Sequence, residues 1–339
     1  MNDAVSSAPS PAGCRGRFDD LYAALRAAIA GTAGSVGRDV PLAGLTTYHL
    51  GGPVAVLVRA GSPEALAAVA DVVADQRPAL LFVGRGSNLL VADAGFPGLG
   101  IVLEGEFEAV DLYAEPGIVH AGAAVPLPVL ARRAAAAGRG GLEFFVGIPG
   151  SVGGAIRMNA GGHGRETADV TVSADVVDLA AAPARGGPAG AGAPRPVAAL
   201  GLGYRHSGLS PTEVVTGARF AVVDAPVDAC EREVGEIVRW RREHQPGGAN
   251  AGSVFRNPPD DSAGRLIDAA GMKGFRVGGA VVSDKYANFF QAEPGATADD
   301  VHRLVLEVQR RIKDATGVEL RPELRMIGFG SAAEPGAPG

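Results

Sequence analysis

"GIPGSVGGAIRMNAGGHG", residues 147–164, decides how this chain is read. Seven of its eighteen positions are glycine, yet Ile148, Val152, Ile156 and Met158 are spaced through it as if for burial. Glycine gives up more conformational freedom on folding than any other residue, so this density inside ordered structure costs stability and needs a reason. A second bare stretch, "VGRGSNLLVADAG" at 83–95, sets Gly84 and Gly86 beside the hydroxyl of Ser87 and the amide of Asn88. Successive unadorned N–H groups form concave nests for anions, and the missing side chains let a phosphate come close. Two dipole-rich loops suit a pyrophosphate-bearing cofactor with a bulky aromatic part. Ile148, Val152 and Ile156 would line its flat ring, and Arg157 is the only formal charge in the longer loop. Glycines also mark turns and bulges, a reading that stands level with a ligand loop for "GRGSN" alone and is the poorer account of 147–164. The residues lead to a phosphate-bearing cofactor and stop there.

The rest of the chain narrows the class. At 339 residues it exceeds one comfortable core, so two or three domains are expected. With 47% hydrophobic and 20% charged residues it has a globular composition, and a net charge of −6 argues against nucleic acid as a partner. Arg241 with Arg242, and Arg310 with Arg311, stand among acids and read as solvated helix faces. The two cysteines, Cys14 and Cys230, fit a reduced cytoplasmic setting better than a disulfide. The opening "MNDAVSSAPSPAG" has neither the basic start nor the apolar core of a secretory signal. No apolar run approaches the ~20 residues needed to cross a bilayer. A soluble protein with no membrane partner is expected.

Residues 1–16 and 331–339 read as disordered tails, and "AAAPARGGPAGAGAPRP" at 180–196 as a floppy hairpin loop. Helical spacing predicts a helix over 18–30 with Leu21, Leu25 and Ile29 inward, and Ser62–Pro63 opens a second one to about Asp75. "ALLFVG" reads as a buried strand, and strands dominate from Gly100 to Val223. Beyond that, Asp228 is expected to cap a helix carrying Val234, Ile237 and Val238, and Ser262 a shorter one with Leu266 and Ile267. Thr297 opens the clearest helix, with Val301, Leu304, Val305, Val308 and Ile312 on one face and Gly317 as its stop. "VELRPELRMIG" reads as a closing strand. These elements place a boundary near 224 and a softer one near 97, hence units of 17–97, 98–224 and 225–330.

Most common catalytic signatures are missing. The chain has no G-x-G-x-x-G after a strand, no P-loop and no G-x-S-x-G elbow. Its six histidines are scattered without metal-ligand pairing, so no metal is expected.

Six motifs in order do carry a resemblance: "GRGSNLLV", "GLEFFVGIPGSVGGAIRMNAGGHG", "LGYRHS", "AGSVFRNP", "AGRLIDAAGMKGFRVGGAVVSDKYANFF" and "RPELRMIG". From about "GLTTYHLGGPV" to Gly328 the chain resembles the UDP-N-acetylenolpyruvoylglucosamine reductases, flavoenzymes that make UDP-N-acetylmuramate for peptidoglycan. The resemblance implies an α+β fold of three domains. Two would form a vanillyl-alcohol-oxidase-like FAD-binding unit, and a C-terminal α/β domain would bind substrate. It implies non-covalent FAD, NADPH as hydride donor, UDP-N-acetylglucosamine enolpyruvate as substrate, and a monomer. The cofactor residues it implies are Gly84, Arg85, Gly86, Ser87, Asn88 and Leu89 in the first loop. In the second they are Gly147, Ile148, Pro149, Gly150, Ser151, Gly153, Gly154, Arg157, Asn159, Gly161 and Gly164.

For catalysis the resemblance implies Arg205, Ser253 and Glu323. Hydride delivered to the terminal carbon of the enolpyruvyl group pushes charge toward its carboxylate. Arg205 would meet that charge bidentately, Glu323 would hydrogen-bond the developing oxygen, and Ser253 would protonate the other carbon. Tyr204, His244, Asn257, Tyr286 and Arg325 are implied substrate contacts. Four positions depart from the family pattern. His244 stands where a lysine is common, Tyr286 replaces a frequent histidine, His163 a tyrosine, and Arg321 a glutamate. Only "PDDS" follows Asn257–Pro258 before "AGRLID", as in the family's shorter form with a more open site. The competing readings are an FAD-dependent oxidase of the same fold acting on an alcohol or sugar, and a non-catalytic nucleotide-sugar binding protein.

Overall fold

The computed structural model describes residues 11–181, 190 and 192–330, with side chains from Phe18 onward. Three large hydrophobic cores and a smaller cluster around Leu42, Val54, Leu57 and Val91 organise the described residues. The first body comprises α1 (Pro11–Ala28), β1 (Gly34–Pro41), β2 (Pro53–Ala60), α2 (Pro63–Gln76), β3 (Leu80–Phe82), β4 (Leu89–Val91) and β5 (Phe96–Leu103). Its sheet runs β1-β2-β5-β3, with β1 antiparallel to β2 and both β2 and β3 parallel to β5. Leu21 and Leu25 of α1, Ile29 just after it, and Leu66, Val69 and Val73 of α2 bury against Val56, Val58, Leu99 and Ile101. Ser62 Oγ accepts from the Ala65 N–H and starts α2 as expected. Pro11–Gly16, expected as tail, form the first turns of α1, a position that tolerates proline because its N–H would have no helical partner. The remaining tail residues lie outside the described ones.

The second body comprises β6 (Val110–Glu115), β7 (Ile118–Gly122), α3 (Leu127–Ala136), α4 (Val152–Met158), β8 (Thr171–Asp178), β9 (Ala193–Pro196), β10 (Glu213–Ala221) and α5 (Val227–His244). The strands form one antiparallel sheet in the order β9-β8-β10-β7-β6. Two helices stand where strands were expected to dominate. α3 is alanine-rich and buries Leu127, Leu130 and Ala134. α4 lies inside the glycine-rich stretch, against the local preference of Gly153 and Gly154. Burial of Val152, Ala155 and Ile156 in the core overrides that propensity. The loop expected at 180–196 ends earlier, because Ala193–Pro196 pair with β8 as β9. Residues 182–189 and 191 lie outside the described ones. Asp228 does not cap α5; the N-cap position is Pro226, and Asp228 sits in the first turn, where its charge meets the helix N-terminus. α5 buries Cys230, Val234 and Ile237 with Phe144, Phe145 and Phe220, so the change of element type near 224 is not a change of core.

The third core begins at Ala251. It holds α6 (Ala263–Ala269), β11 (Arg276–Val277), β12 (Ala280–Val282), β13 (Phe290–Ala292), α7 (Ala298–Thr316) and β14 (Arg325–Ile327). β11, β12 and β13 form an antiparallel sheet. The α7 stripe of Val301, Leu304, Val305, Val308 and Ile312 is fully buried, Thr297 and Asp300 make a capping box, and Gly317 closes the helix at φ +74°. Ser262 Oγ caps α6 through the Arg265 N–H. The closing strand is shorter than expected: Arg325–Ile327 pair in parallel with β4 of the first body, and before them Pro322 makes an isolated bridge to Phe255. Among the described residues no helix is long and apolar enough to cross a membrane.

Candidate active site

The turn between β3 and β4 is the loop "GRGSN". Among the described residues none accepts a hydrogen bond from the N–H of Gly84, Arg85, Gly86, Ser87 or Asn88. Unpaired backbone donors are rare where structure is ordered, and five in succession form a cradle for an anion. Gly86 is buried at φ +63°, and a Cβ there would lie 1.9 Å from the Leu45 carbonyl. Only glycine closes the loop this tightly.

The second loop faces the first. A Cβ on Gly84 would lie 2.7 Å from Ser151 Oγ, and one on Gly150 would lie 3.7 Å from Ser87 Oγ. Bare backbone on each side thus meets a hydroxyl on the other. The glycines of 147–164 have distinct neighbours. Gly147 makes room for the His163 ring and Gly153 lets α4 approach Ala123. Gly161 lies under the Arg205 guanidinium, and Gly164 is the exposed turn of the hairpin 161–166. Gly150 and Gly154 are left open toward Ser87 and Ser151. Ile148 is half-buried at the edge of the second core, and Pro149 is exposed.

Three expected cofactor residues are committed elsewhere. The Arg157 guanidinium donates to the carbonyls of Leu209, Ser210 and Glu213, and is pushed down to about 10 by burial and then by neighbouring Arg325. It ties α4 to the strand entry at 209–213 instead of facing the loop. Asn159 ends α4 at φ +41° and donates to Glu166 Oε2 and Gly203 O while accepting from the Ala168 N–H. Its amide is fully engaged within the protein. Leu89 is buried in β4, in register with Arg325.

Arg205, at φ +56°, places Nε 2.7 Å from Glu323 Oε1, both side chains being largely buried. The N–H is not aligned on that oxygen, so the contact is an ion pair with donor capacity left over. Burial pushes the Glu323 carboxyl up, against the pull of Arg205 and Arg256. The Glu323 backbone N–H donates to Val254 O, and Phe255 bridges Pro322, which brings Ser253 alongside the glutamate strand. Among the described residues the Ser253 hydroxyl has no protein partner. Asn88 joins this cluster to the cradle: its Nδ2 donates to Glu323 O at 3.1 Å, and its carbonyl accepts from the Arg325 N–H.

Among the expected substrate contacts, Tyr204 and Tyr286 are exposed, and the Tyr286 hydroxyl is pushed up by partial burial and then by nearby Tyr204. Asn257 Oδ1 accepts from the Ala263 N–H, and among the described residues its amide nitrogen has no acceptor. Arg325 points to solvent, and His244 stacks on Trp240. Arg256 was missed in the sequence. Its Nη2 donates to the Arg205 carbonyl, its Nε is buried without an acceptor, and its charge acts on Glu323. Its place inside "AGSVFRNP", three positions after Ser253, was the available signal.

Two family models match the chain. Residues 54–182 match the family described as "FAD binding domain", and residues 244–327 match "UDP-N-acetylenolpyruvoylglucosamine reductase, C-terminal domain". The UDP-N-acetylenolpyruvoylglucosamine reductase of Rhodopseudomonas palustris is 41% identical over 92% of this chain and 97% of its own length. The chain belongs to that reductase family. A Synechococcus enzyme of the same name is 40% identical over 87% of this chain and 94% of its own. The crystal structure of the Thermus caldophilus reductase superposes with a TM-score of 0.73 at 37% identity, over 87% of this chain and 99% of that one. Family membership makes the chain an FAD-dependent oxidoreductase of α+β fold. The cradle at 84–88, with its free amides and glycines, fits the diphosphate of that cofactor.

Proposed function

We propose that the chain reduces the enolpyruvyl ether of UDP-N-acetylglucosamine enolpyruvate to the lactyl ether of UDP-N-acetylmuramate, with NADPH as reductant. Bound FAD supplies the hydride. The amides of residues 84–88 and the hydroxyls of Ser87 and Ser151 would hold its diphosphate. Arg205 meets the substrate carboxylate as negative charge moves onto it, and preorganised groups of this kind supply the largest catalytic term in most enzymes. Glu323, its carboxyl pushed up by burial, hydrogen-bonds the developing enolate oxygen. Ser253 delivers the proton to the carbon that carries the ether. Tyr204, Asn257, Tyr286, His244 and Arg325 border the open side as substrate contacts. Both reactants are anionic nucleotides, and the proposed setting is the cytoplasm, with the enzyme acting as a monomer.

The observation that carries this reading is the hydrogen bond from Asn88 Nδ2 to the Glu323 backbone carbonyl, which ties the strand entry that bears Glu323 to the amide cradle. Anaerobic addition of NADPH should bleach the yellow protein, and the enolpyruvyl sugar nucleotide should restore the colour. Ser253→Ala should bleach normally and fail to reoxidise with that substrate. Absence of bleaching in the FAD-loaded wild type removes the reductase reading. Normal reoxidation of the variant removes Ser253 as proton donor.

A further inference from the structure

The turn that carries Arg205 is held from two sides. Gly203 and His206 exchange both backbone hydrogen bonds, at 3.0 and 3.1 Å, which leaves Tyr204 and Arg205 as a two-residue loop. Such loops put a central residue at positive φ, where glycine or asparagine is usual, and Arg205 takes that place at φ +56°. An arginine stays there only where its surroundings hold it. The base of the turn is fixed by its own body, because Asn159 Nδ2 donates to the Gly203 carbonyl. Its tip is fixed from the segment that opens the third core, because Arg256 Nη2 donates to the Arg205 carbonyl at 3.1 Å.

Arg256 reaches that carbonyl from the chain beside Glu323. Its backbone N–H donates to the Arg321 carbonyl, next to the bridge between Phe255 and Pro322, and the Glu323 N–H donates to the Val254 carbonyl. One short antiparallel ladder therefore carries both Arg256 and Glu323. Arg205 from the turn and Arg256 from the ladder are the charges that act on the Glu323 carboxyl. Arg256 makes no ion pair among the described residues, and its Nε is buried without an acceptor. A buried donor left unused costs stability, so a fold that keeps one calls for a reason.

Resting on the reductase reading, we propose that Arg256 is a positioning residue for the enolpyruvyl reduction: it locks the strained Arg205 turn onto the ladder that bears Glu323, so that guanidinium and carboxyl meet the substrate in one fixed geometry. Arg256 acts through those two residues and not on the substrate. Its charge has a second consequence. Burial pushes the Glu323 carboxyl up, and Arg205 and Arg256 pull against that rise. Without Arg256 the acid form of Glu323 persists to higher pH. A lysine keeps the charge and loses the planar fork.

The FAD-loaded protein separates the two half-reactions. Arg256→Met and Arg256→Lys should both bleach with NADPH at the wild-type rate, because the cradle at 84–88 is untouched. Reoxidation by the enolpyruvyl sugar nucleotide should slow ~10- to 100-fold in Arg256→Met and ~3- to 10-fold in Arg256→Lys. The limb of its pH profile that falls as Glu323 ionises should move to higher pH in Arg256→Met and stay in place in Arg256→Lys. A merely structural role would slow both half-reactions alike and leave that limb where it is. Wild-type reoxidation in Arg256→Met, an equal loss in both half-reactions, or an unmoved limb overturns the proposal. If Arg256→Met does not fold, Arg256→Lys decides, and wild-type reoxidation in that variant overturns it. None of these outcomes touches the reductase reading, which stands as long as the wild-type protein bleaches with NADPH and recovers its colour with the sugar nucleotide.

Discussion

Arg205, the proposed partner of the substrate carboxylate, occupies a strained backbone position. A non-glycine at φ +56° is held there by its surroundings, and one of them is Arg256, whose Nη2 grips the Arg205 carbonyl. The guanidinium then passes over Gly161, where a Cβ would stand 3.0 Å from Nη1 and 2.8 Å from the Arg165 carbonyl. Gly161→Ala should therefore displace Arg205 and lower kcat by ~10- to 100-fold. The FAD content of the purified variant, read from its visible spectrum, should stay at the wild-type level. In the proposed reaction Glu323 sets the pH response. Its carboxyl is raised by burial, so the hydrogen-bonding acid persists below that raised value and is lost as pH rises through it. The kcat profile should fall on that side, and Glu323→Gln, which keeps an N–H donor, should lose the pH-dependent limb while turning over more slowly. The motifs single out Arg205, Ser253 and Glu323, and the structure pairs the first with the last. That Arg157 and Asn159 point inward was not, because both stand in the same glycine-rich stretch as true loop residues and only the neighbouring carbonyls claim them.

Helix termini join the bodies at the level of elements. α7 starts with a capping box visible in the sequence as Thr297 and Asp300, and the structure adds two further uses. Asp300 Oδ2 also accepts from the Gly279 N–H, and Asp93 of the first body accepts from the N–H groups of Ala298 and Asp299. The Gly279 N–H, with Thr297, holds the Asp300 carboxyl below the usual carboxylate range. A lowered value in the folded state stabilises the protein above the unfolded carboxylate pKa and loses that contribution as pH falls through the folded one. Asp300→Asn should cost about 1–2 kcal/mol in urea unfolding at pH 7. The deficit should shrink when the comparison is repeated below about pH 4. Asp93→Ala removes a cap that comes from another body, so it should lower the melting temperature although Asp93 sits in a surface loop. Periodicity made α7 readable and hid α4. Seven residues with two glycines form a helix only because the second core covers three of them.

Across the whole molecule the cores are not separate. Phe107, Leu179 and Val214 of the second body join the first core, while Tyr48 and Leu90 of the first body are buried in the third, with the Tyr48 hydroxyl donating to the Phe290 carbonyl. Leu90→Ala should cost about 2–5 kcal/mol. Its unfolding, followed in urea by Trp240 emission and by flavin fluorescence, should shift both transitions together, because the cofactor cradle and the third core share β4. The sequence alone determined the helical stripes, their Ser62, Ser262, Thr297 and Gly317 ends, and the two glycine loops. Spacing and local hydrogen-bond geometry need no distant partner. Tertiary structure alone decided that α5 belongs to the second core and that β14 crosses to the first body. It also set a free amide cradle within one hydrogen bond of the Glu323 backbone. The crossing of β14 and the link from cradle to Glu323 depend on contacts between residues more than two hundred positions apart, which no local pattern encodes.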